Sequence, residues 1–166
     1  MSDAMTKAKL MAKMHATRRE WDALLANITP AQMMQPSVIG EWSIKDVIFH
    51  CTSYARWFVT ALQAALLGAP LPEPENTLPI DERNQLDFQQ SQQHALDTVL
   101  ADARNVSRRL LELTEAQSEA FLLEPQRFAG IAEPIVVWKH LDHVCNHYHG
   151  HMYDIWAGLE QSVAYS

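Results

Sequence analysis

The sequence contains little glycine and little cysteine. Of 166 residues, only 5 are glycine and 2 are cysteine. Sparing use of glycine favours a mostly helical chain, because glycine weakens helices and marks places where the backbone turns. The two cysteines, Cys51 and Cys145, are too few for a disulfide scaffold, so we expect a protein of the reducing cytoplasm in which both are small buried hydrophobes.

Long apolar runs and an excess of positive charge are also missing. No window approaches the ~20 apolar residues that cross a bilayer, and the first residues have no apolar segment like the core of a signal peptide. A net charge of −7 disfavours binding to nucleic acid or to an anionic membrane. With 48% hydrophobic residues, the composition and length predict one soluble globular domain over residues 1–166.

Apolar residues at helical spacing predict four long helices. We expect them over residues 3–27, 43–67, 92–113 and 134–159, with shorter helical turns at 31–35 and 81–90. Ser2 or Asp3 is expected to cap the first helix, and Pro134 to stand in the first turn of the last. Ser43 and Asp46 have the spacing of a capping box. The Pro-rich segment 69–80 and residues 124–134 are expected to be loops, and residues 162–166 a frayed tail.

Histidine is concentrated in the last predicted helix, which holds five of the eight in the chain. At about 100° per residue, four of them share one stripe beside the apolar face: His140, His143, His147 and His151. His149 lies on the opposite side with Trp138 and Trp156, where the surface belongs either to a dimer contact or to another packed face.

His147 and His151 are the sharpest pair in this stripe. Residues four apart are neighbours on a helix, so their imidazoles can close on one metal ion, although at least one further ligand must come from elsewhere. Taken alone, the pair is also typical of a His-rich, half-exposed helix face. His50, among apolar neighbours in the second long helix, is by itself more typical of a satisfied core histidine. Residues 28–32 and 113–117 share an aliphatic residue followed by Thr-x-Ala-Gln; an internal repeat would let His50 face the pair, and chance explains the similarity equally well.

Two motifs together resemble the DinB/YfiT-like family. The first is Gly-Glu-Trp-Ser-Ile-Lys-Asp-Val at residues 40–47, followed by His50; the second is Asn-His-x-x-x-His at residues 146–151. The resemblance covers essentially the whole chain. It implies an all-α fold, a four-helix bundle with short extra helical turns. It also implies one divalent metal ion held by His50, His147 and His151. Imidazole ligands suit zinc or nickel, which we expect first, and iron would also accept them.

The resemblance also implies a range of functions. Many relatives are dimers of uncertain activity, and characterised ones are thiol-dependent transferases or isomerases, or hydrolase-like resistance proteins. We therefore expect a homodimeric, metal-dependent enzyme acting on a small molecule. It is expected to be either a transferase or isomerase with a low-molecular-weight thiol as cosubstrate, or a hydrolase. Two alternatives stay open: a non-catalytic metal- or small-molecule-binding protein of stress protection, and a metal-free bundle with a polar pocket.

The sequence departs from the family pattern after the second motif. Many relatives continue with Arg-x-Gln, where this chain has Met-Tyr-Asp at residues 152–154. Asp154 is either an acceptor that orients a ligating imidazole or a surface acid. His140 and His143 are either proton-transfer or substrate-contacting groups or solvated side chains. Asp46 is either a partner of His50 or only the cap of its helix, and Tyr54 is a candidate pocket residue.

Overall fold

The computed structural model describes residues 4–72, 78–129 and 131–164. Its helices are α1 (Lys7–Ala26), α2 (Pro30–Met34), α3 (Ile44–Leu66), α4 (Ile80–Ser91), α5 (Leu96–Glu115), α6 (Glu119–Leu123) and α7 (Val137–Ala164). The four long helices α1, α3, α5 and α7 form a four-helix bundle. In the described part of the chain, extended pairing is limited to two isolated bridges. The predicted all-α bundle with short extra helical turns is confirmed.

The core lies where the apolar faces of the long helices meet. Its fully buried side chains include Leu10, Trp21, Ile48, Leu141 and Ile155. Helix α3 packs against α4, α5 and α7, while α1 packs against α5 and α7. Because α3 packs against both α4 and α7, the side chain of His50 on α3 lies between these two helices and is buried.

Both cysteines are free thiols buried in this core. Burial raises the pKa of the Cys51 thiol well above its usual value, and it also raises the pKa of Cys145. A thiol held neutral in this way packs as a small hydrophobe, as the sequence predicted.

The predicted capping box at the start of α3 is present. The Ser43 side chain accepts a hydrogen bond from the Asp46 backbone N–H, and Asp46 Oδ2 accepts from the Ser43 backbone N–H at 2.8 Å. The same carboxylate accepts from Ser91 Oγ and, at 2.7 Å, from Gln92 Nε2. Asp46 is buried, with 2% of its surface exposed. It therefore caps α3 and ties that helix to the C-terminal end of α4.

Several predicted helix ends were wrong. Helix α1 begins at Lys7, because the Thr6 side chain accepts the Lys9 backbone N–H at 3.2 Å; Ser2 and Asp3 lie outside the described residues. Helix α5 begins at Leu96, four residues later than predicted. The buried Lys45 ammonium donates to the carbonyls of Ser91 and His94, which holds the preceding segment in a turn.

The second half of the chain brings further corrections. Pro134 is not in the first turn of α7, because Ile135 pairs in an antiparallel bridge with Gln126 and α7 begins at Val137. The short helix α6, capped by Ser118, was not predicted. Helix α7 continues to Ala164 where a frayed tail was expected, and residues 165–166 lie outside the described part. Of the expected Pro-rich loop, residues 73–77 also lie outside it.

Among the residues that the structure describes, no helix is both long enough and apolar enough to cross a membrane.

Candidate metal centre

Helices α3 and α7 bring three imidazoles to one place. His50 lies in the second turn of α3 and is buried, while His147 and His151 lie one turn apart on α7 and are partly buried. Each offers one ligand atom, and these atoms all lie within 4.8 Å of one another. The Nε2 atoms of His50 and His147 are 3.1 Å apart. Three histidines from two distant parts of the sequence thus form a single cluster, called the His triad below.

The chemistry of the His triad fits a divalent metal ion. Two Zn–N bonds of about 2.0–2.1 Å at a tetrahedral angle place the nitrogens roughly 3.3 Å apart, close to the observed 3.1 Å. The pKa of His147 is lowered to about 3, mainly by burial and additionally by the neighbouring His151 and His50. Burial also lowers the pKa of His151, against the opposing effect of Asp154. Both rings are therefore neutral near pH 7, which is the form that ligates a metal.

Two ring nitrogens of the His triad are buried without a hydrogen-bond partner: Nδ1 of His147 and Nδ1 of His151. Nδ1 of His151 lies 3.2 Å from Oδ2 of Asp154, near enough for electrostatic attraction but without the alignment of a hydrogen bond. Buried polar atoms are usually satisfied. The His147 nitrogen that meets His50 is Nε2, so Nδ1 of His147 is a separate buried group that a metal ion on the Nε2 side would leave without a partner.

Asp87 is the residue that sequence reasoning missed. It lies on α4, and its Oδ2 is 2.7 Å from Nδ1 of His50. Its side chain is only 15% exposed. A carboxylate that accepts from Nδ1–H fixes the tautomer of the ring and leaves the Nε2 lone pair facing the centre. No motif marks this position, and only the packing of α4 on α3 reveals it.

Aromatic side chains surround the His triad on the α3 side. The ring of Tyr54 lies 4.4 Å from that of His147, measured between centroids. Trp42, just before the start of α3, lies 5.4 Å from His50 and stacks on Phe88 of α4. These rings limit the approach of water from that side.

The other predicted site residues lie farther out. His143 is exposed, with its ring 6.2 Å from Tyr54, and His140 is exposed one turn earlier on the same side of α7. Partial burial and the nearby His143 lower the pKa of His140. The hydrogen bonds of Asp46 go to Ser43, Ser91 and Gln92, and the carboxylate that contacts His50 is Asp87. His149 lies on the far side and pairs with Glu20 at 2.8 Å.

A family model described as the DinB superfamily matches residues 13–155. The chain belongs to the DinB superfamily. The resemblance seen in the two sequence motifs is therefore confirmed. No curated protein matches this DinB-superfamily sequence.

Three solved structures show how widely this fold is shared. An uncharacterised Escherichia coli UTI89 protein aligns at 15% identity with a TM-score of 0.82, over 98% of this chain and 97% of its own. The colibactin self-resistance protein ClbS, in complex with double-stranded DNA, aligns at 13% identity with a TM-score of 0.74. The alignment covers 93% of this chain and 95% of ClbS. The mycothiol-dependent maleylpyruvate isomerase aligns at 14% identity with a TM-score of 0.73. The alignment covers 91% of this chain and 61% of the isomerase chain.

At such identities the similarity shows the fold alone. Because ClbS is seen with DNA, the absence of nucleic-acid binding in this chain remains a prediction from its negative charge.

Proposed function

We propose that this protein is a divalent-metal-dependent enzyme acting on a small molecule, with the metal held by His50, His147 and His151. The observation that carries the proposal is the convergence of the His triad, with Asp87 hydrogen-bonded behind its first member. A bound zinc or nickel ion would supply Lewis acidity, polarising a substrate carbonyl or favouring the deprotonated form of a thiol.

The number of protein donors favours catalysis over a purely structural role. Catalytic zinc sites keep three protein ligands and one open position, whereas structural sites use four. In the described residues, the cluster of ligating side chains has three members. Asp87 orients His50, and Tyr54 shields His147 from one side. We propose that His143, which is exposed beside Tyr54, passes protons between the site and solvent.

A low-molecular-weight thiol is the cosubstrate to test first. The solved relative described as a mycothiol-dependent isomerase supports this choice. Protein purified without a His tag would be reconstituted with zinc or nickel and mixed with a panel of thiols and small electrophiles. Metal-dependent conversion of the electrophile over many turnovers is expected, with the thiol consumed if the enzyme is a transferase and regenerated if it is an isomerase. A protein that binds no stoichiometric metal after reconstitution would overturn the proposal.

A second candidate is a non-catalytic binding protein that protects the cell, which the structural similarity to the self-resistance protein ClbS favours. The same experiment separates the two functions. An enzyme turns over many equivalents of substrate per chain, whereas a sequestering protein stops at one. A metal-bound structure would separate them as well, because a fourth protein ligand would close the site.

We propose that the protein works as a homodimer. The far side of α7 exposes Tyr153 and Trp156, at 75% and 62%, and exposed aromatic side chains are common at protein interfaces. Sedimentation of the full chain, compared with a Trp156→Glu variant, tests the oligomeric state.

A further inference from the structure

Helices α3 and α7 enclose an apolar pocket beyond the His triad. Its lining includes Trp57, Phe58, Ala61, Phe128, His140 and Leu141. The pocket has a volume of about 70 Å³, several times the ~10–15 Å³ that one water requires. A space of this size between apolar walls suits an apolar group better than ordered water, which needs polar partners.

A line of aromatic contacts joins this apolar pocket to the His triad. The ring of Tyr54 lies 4.4 Å from His147 on one side and 5.3 Å from Phe58 on the other. Phe58 in turn contacts Trp57 at 4.9 Å. On the opposite wall, His140 precedes His147 by seven residues, which is two turns or about 10 Å of helix. The pocket and the triad therefore lie about two helical turns apart along the α3–α7 interface, called the α3–α7 groove below, with the rings of Tyr54 and Phe58 between them.

The two ends of the α3–α7 groove differ in character. The described residues that line the apolar pocket include no acidic side chain, lysine or arginine. Their one titratable group is His140, whose pKa burial and His143 keep below its usual value. The other end holds three imidazoles with the Asp87 carboxylate behind them. A ligand that fits both ends has an uncharged apolar group and, about 10 Å away, a polar group.

We propose that the apolar pocket binds an uncharged aliphatic or aryl end of the substrate while the reactive polar group lies at the His triad. This inference rests on the proposed function and narrows its substrate class to elongated, amphipathic small molecules. Burial of one such end contributes about 1.5–3 kcal/mol, equivalent to roughly a 10- to 150-fold gain in affinity.

The test uses hydroxamic acids, which chelate metal ions through a small polar head. Acetohydroxamate and a series of ω-phenylalkyl hydroxamates of increasing spacer length would be titrated into the zinc-loaded full chain by calorimetry. Affinity is expected to rise at least about tenfold once the phenyl group reaches the pocket. Ala61→Phe, which fills the pocket, should abolish that gain and leave acetohydroxamate binding unchanged. The control is Ala64→Phe, which lies on the same helix outside the lining and should keep the gain in affinity. If Ala61→Phe does not fold, Ala65→Leu replaces it as a milder variant that also fills the pocket.

Each outcome decides one of the two proposals. If acetohydroxamate binds but no tail adds affinity, the pocket assignment is overturned and the metal site stands. If no hydroxamate binds, the proposed metal function fails, and the pocket is then tested in metal-free protein by fluorine NMR with 4-fluorobenzyl alcohol. Binding to the wild type that Ala61→Phe removes would support the pocket. Equal signals from both proteins, or no binding to either, would overturn it.

Discussion

Nδ1 of His50 lies 2.7 Å from Oδ2 of Asp87, and this contact joins α3 to α4 at the candidate metal centre. An ionised carboxylate only accepts hydrogen bonds, so the proton of the neutral imidazole is on Nδ1. The Nε2 lone pair then faces His147, whose Nε2 is 3.1 Å away. Helix α4, which is not one of the four long helices of the bundle, is therefore part of the site.

Removing the Asp87 carboxylate should weaken metal binding. Removing the hydrogen-bond acceptor behind a ligating histidine typically lowers metal affinity 10- to 100-fold, because the acceptor fixes the tautomer and the orientation of the ring. We expect Asp87→Ala to lose affinity in about this range, and Asp87→Asn to lose less, because its amide oxygen still accepts from Nδ1–H. Competition titrations with a chromophoric chelator measure both effects.

The matched control for this experiment is Asp81→Ala. Asp81 lies on the same helix, in its first turn and exposed to solvent. Its removal changes the net charge equally but leaves His50 untouched. Equal affinities for Asp87→Ala and Asp81→Ala would show that the contact does not orient a ligand.

Each member of the His triad should be needed for stoichiometric metal. His147→Ala or His151→Ala leaves two imidazoles, too few for a stable zinc site, and we expect metal content to fall from about one ion per chain to near zero. His149→Ala is the control, because His149 lies on the far side of the same helix and pairs with Glu20. Elemental analysis of untagged, reconstituted protein gives the answer. A His147→Ala protein with a full complement of metal would contradict the site assignment.

The metal-free protein should lose stability in acid, partly through His147. Its pKa is about 3 in the folded state against a usual value of 6.5, so between these values the unfolded chain binds more protons. Stability then rises with pH across this window and is lost as pH falls from about 6.5 towards 3. Denaturant unfolding of chelator-treated protein at pH 7 and pH 5 should show a smaller difference for His147→Gln than for the wild type. An identical difference in the two proteins would mean that His147 titrates normally.

Replacing Asp46 should lower the free energy of unfolding far more than replacing the equivalent capping residue of another helix. Its buried carboxylate caps α3 and also accepts from Ser91 and Gln92, so we expect Asp46→Ala to cost about 2–4 kcal/mol. Gln32 occupies the same position in the capping box of α2 but has no such additional partners among its described bonds. We expect Gln32→Ala to cost about 0.5 kcal/mol. Equilibrium unfolding compares the two, and equal costs would show that the contacts with the end of α4 add nothing.

Features set by local sequence were predictable, and features set by packing were not. The Ser43 cap, the Gly68 stop after α3 and the shared stripe of His147 and His151 follow from spacing along one helix. The meeting of His50 with that pair came from family resemblance, because helical spacing gives no distance between two helices. The contact of Asp87 with His50 joins residues 37 apart, and it depends on how a weakly amphipathic helix lies on α3.

The helix ends show the same limit. The start of α5 is set by the Lys45 ammonium, which is distant in sequence and donates hydrogen bonds to two backbone carbonyls of the preceding turn. The start of α7 is delayed by a bridge between Gln126 and Ile135. Both depend on residues that are neighbours only in the folded chain, so periodicity placed these ends several residues too early.

The two glycines of α7 should respond in opposite ways to alanine. A Cβ at Gly150 meets nothing within 4 Å, so Gly150→Ala should stabilise the protein by about 0.5–1 kcal/mol through helix propensity alone. A Cβ at Gly158 would lie 2.3 Å from the Val38 carbonyl oxygen. Because backbone is less able to move than a flexible side chain, we expect Gly158→Ala to destabilise by about 1–3 kcal/mol. Thermal unfolding of both variants measures this, and a Gly158→Ala protein as stable as Gly150→Ala would show that α7 does not pack so closely against residue 38.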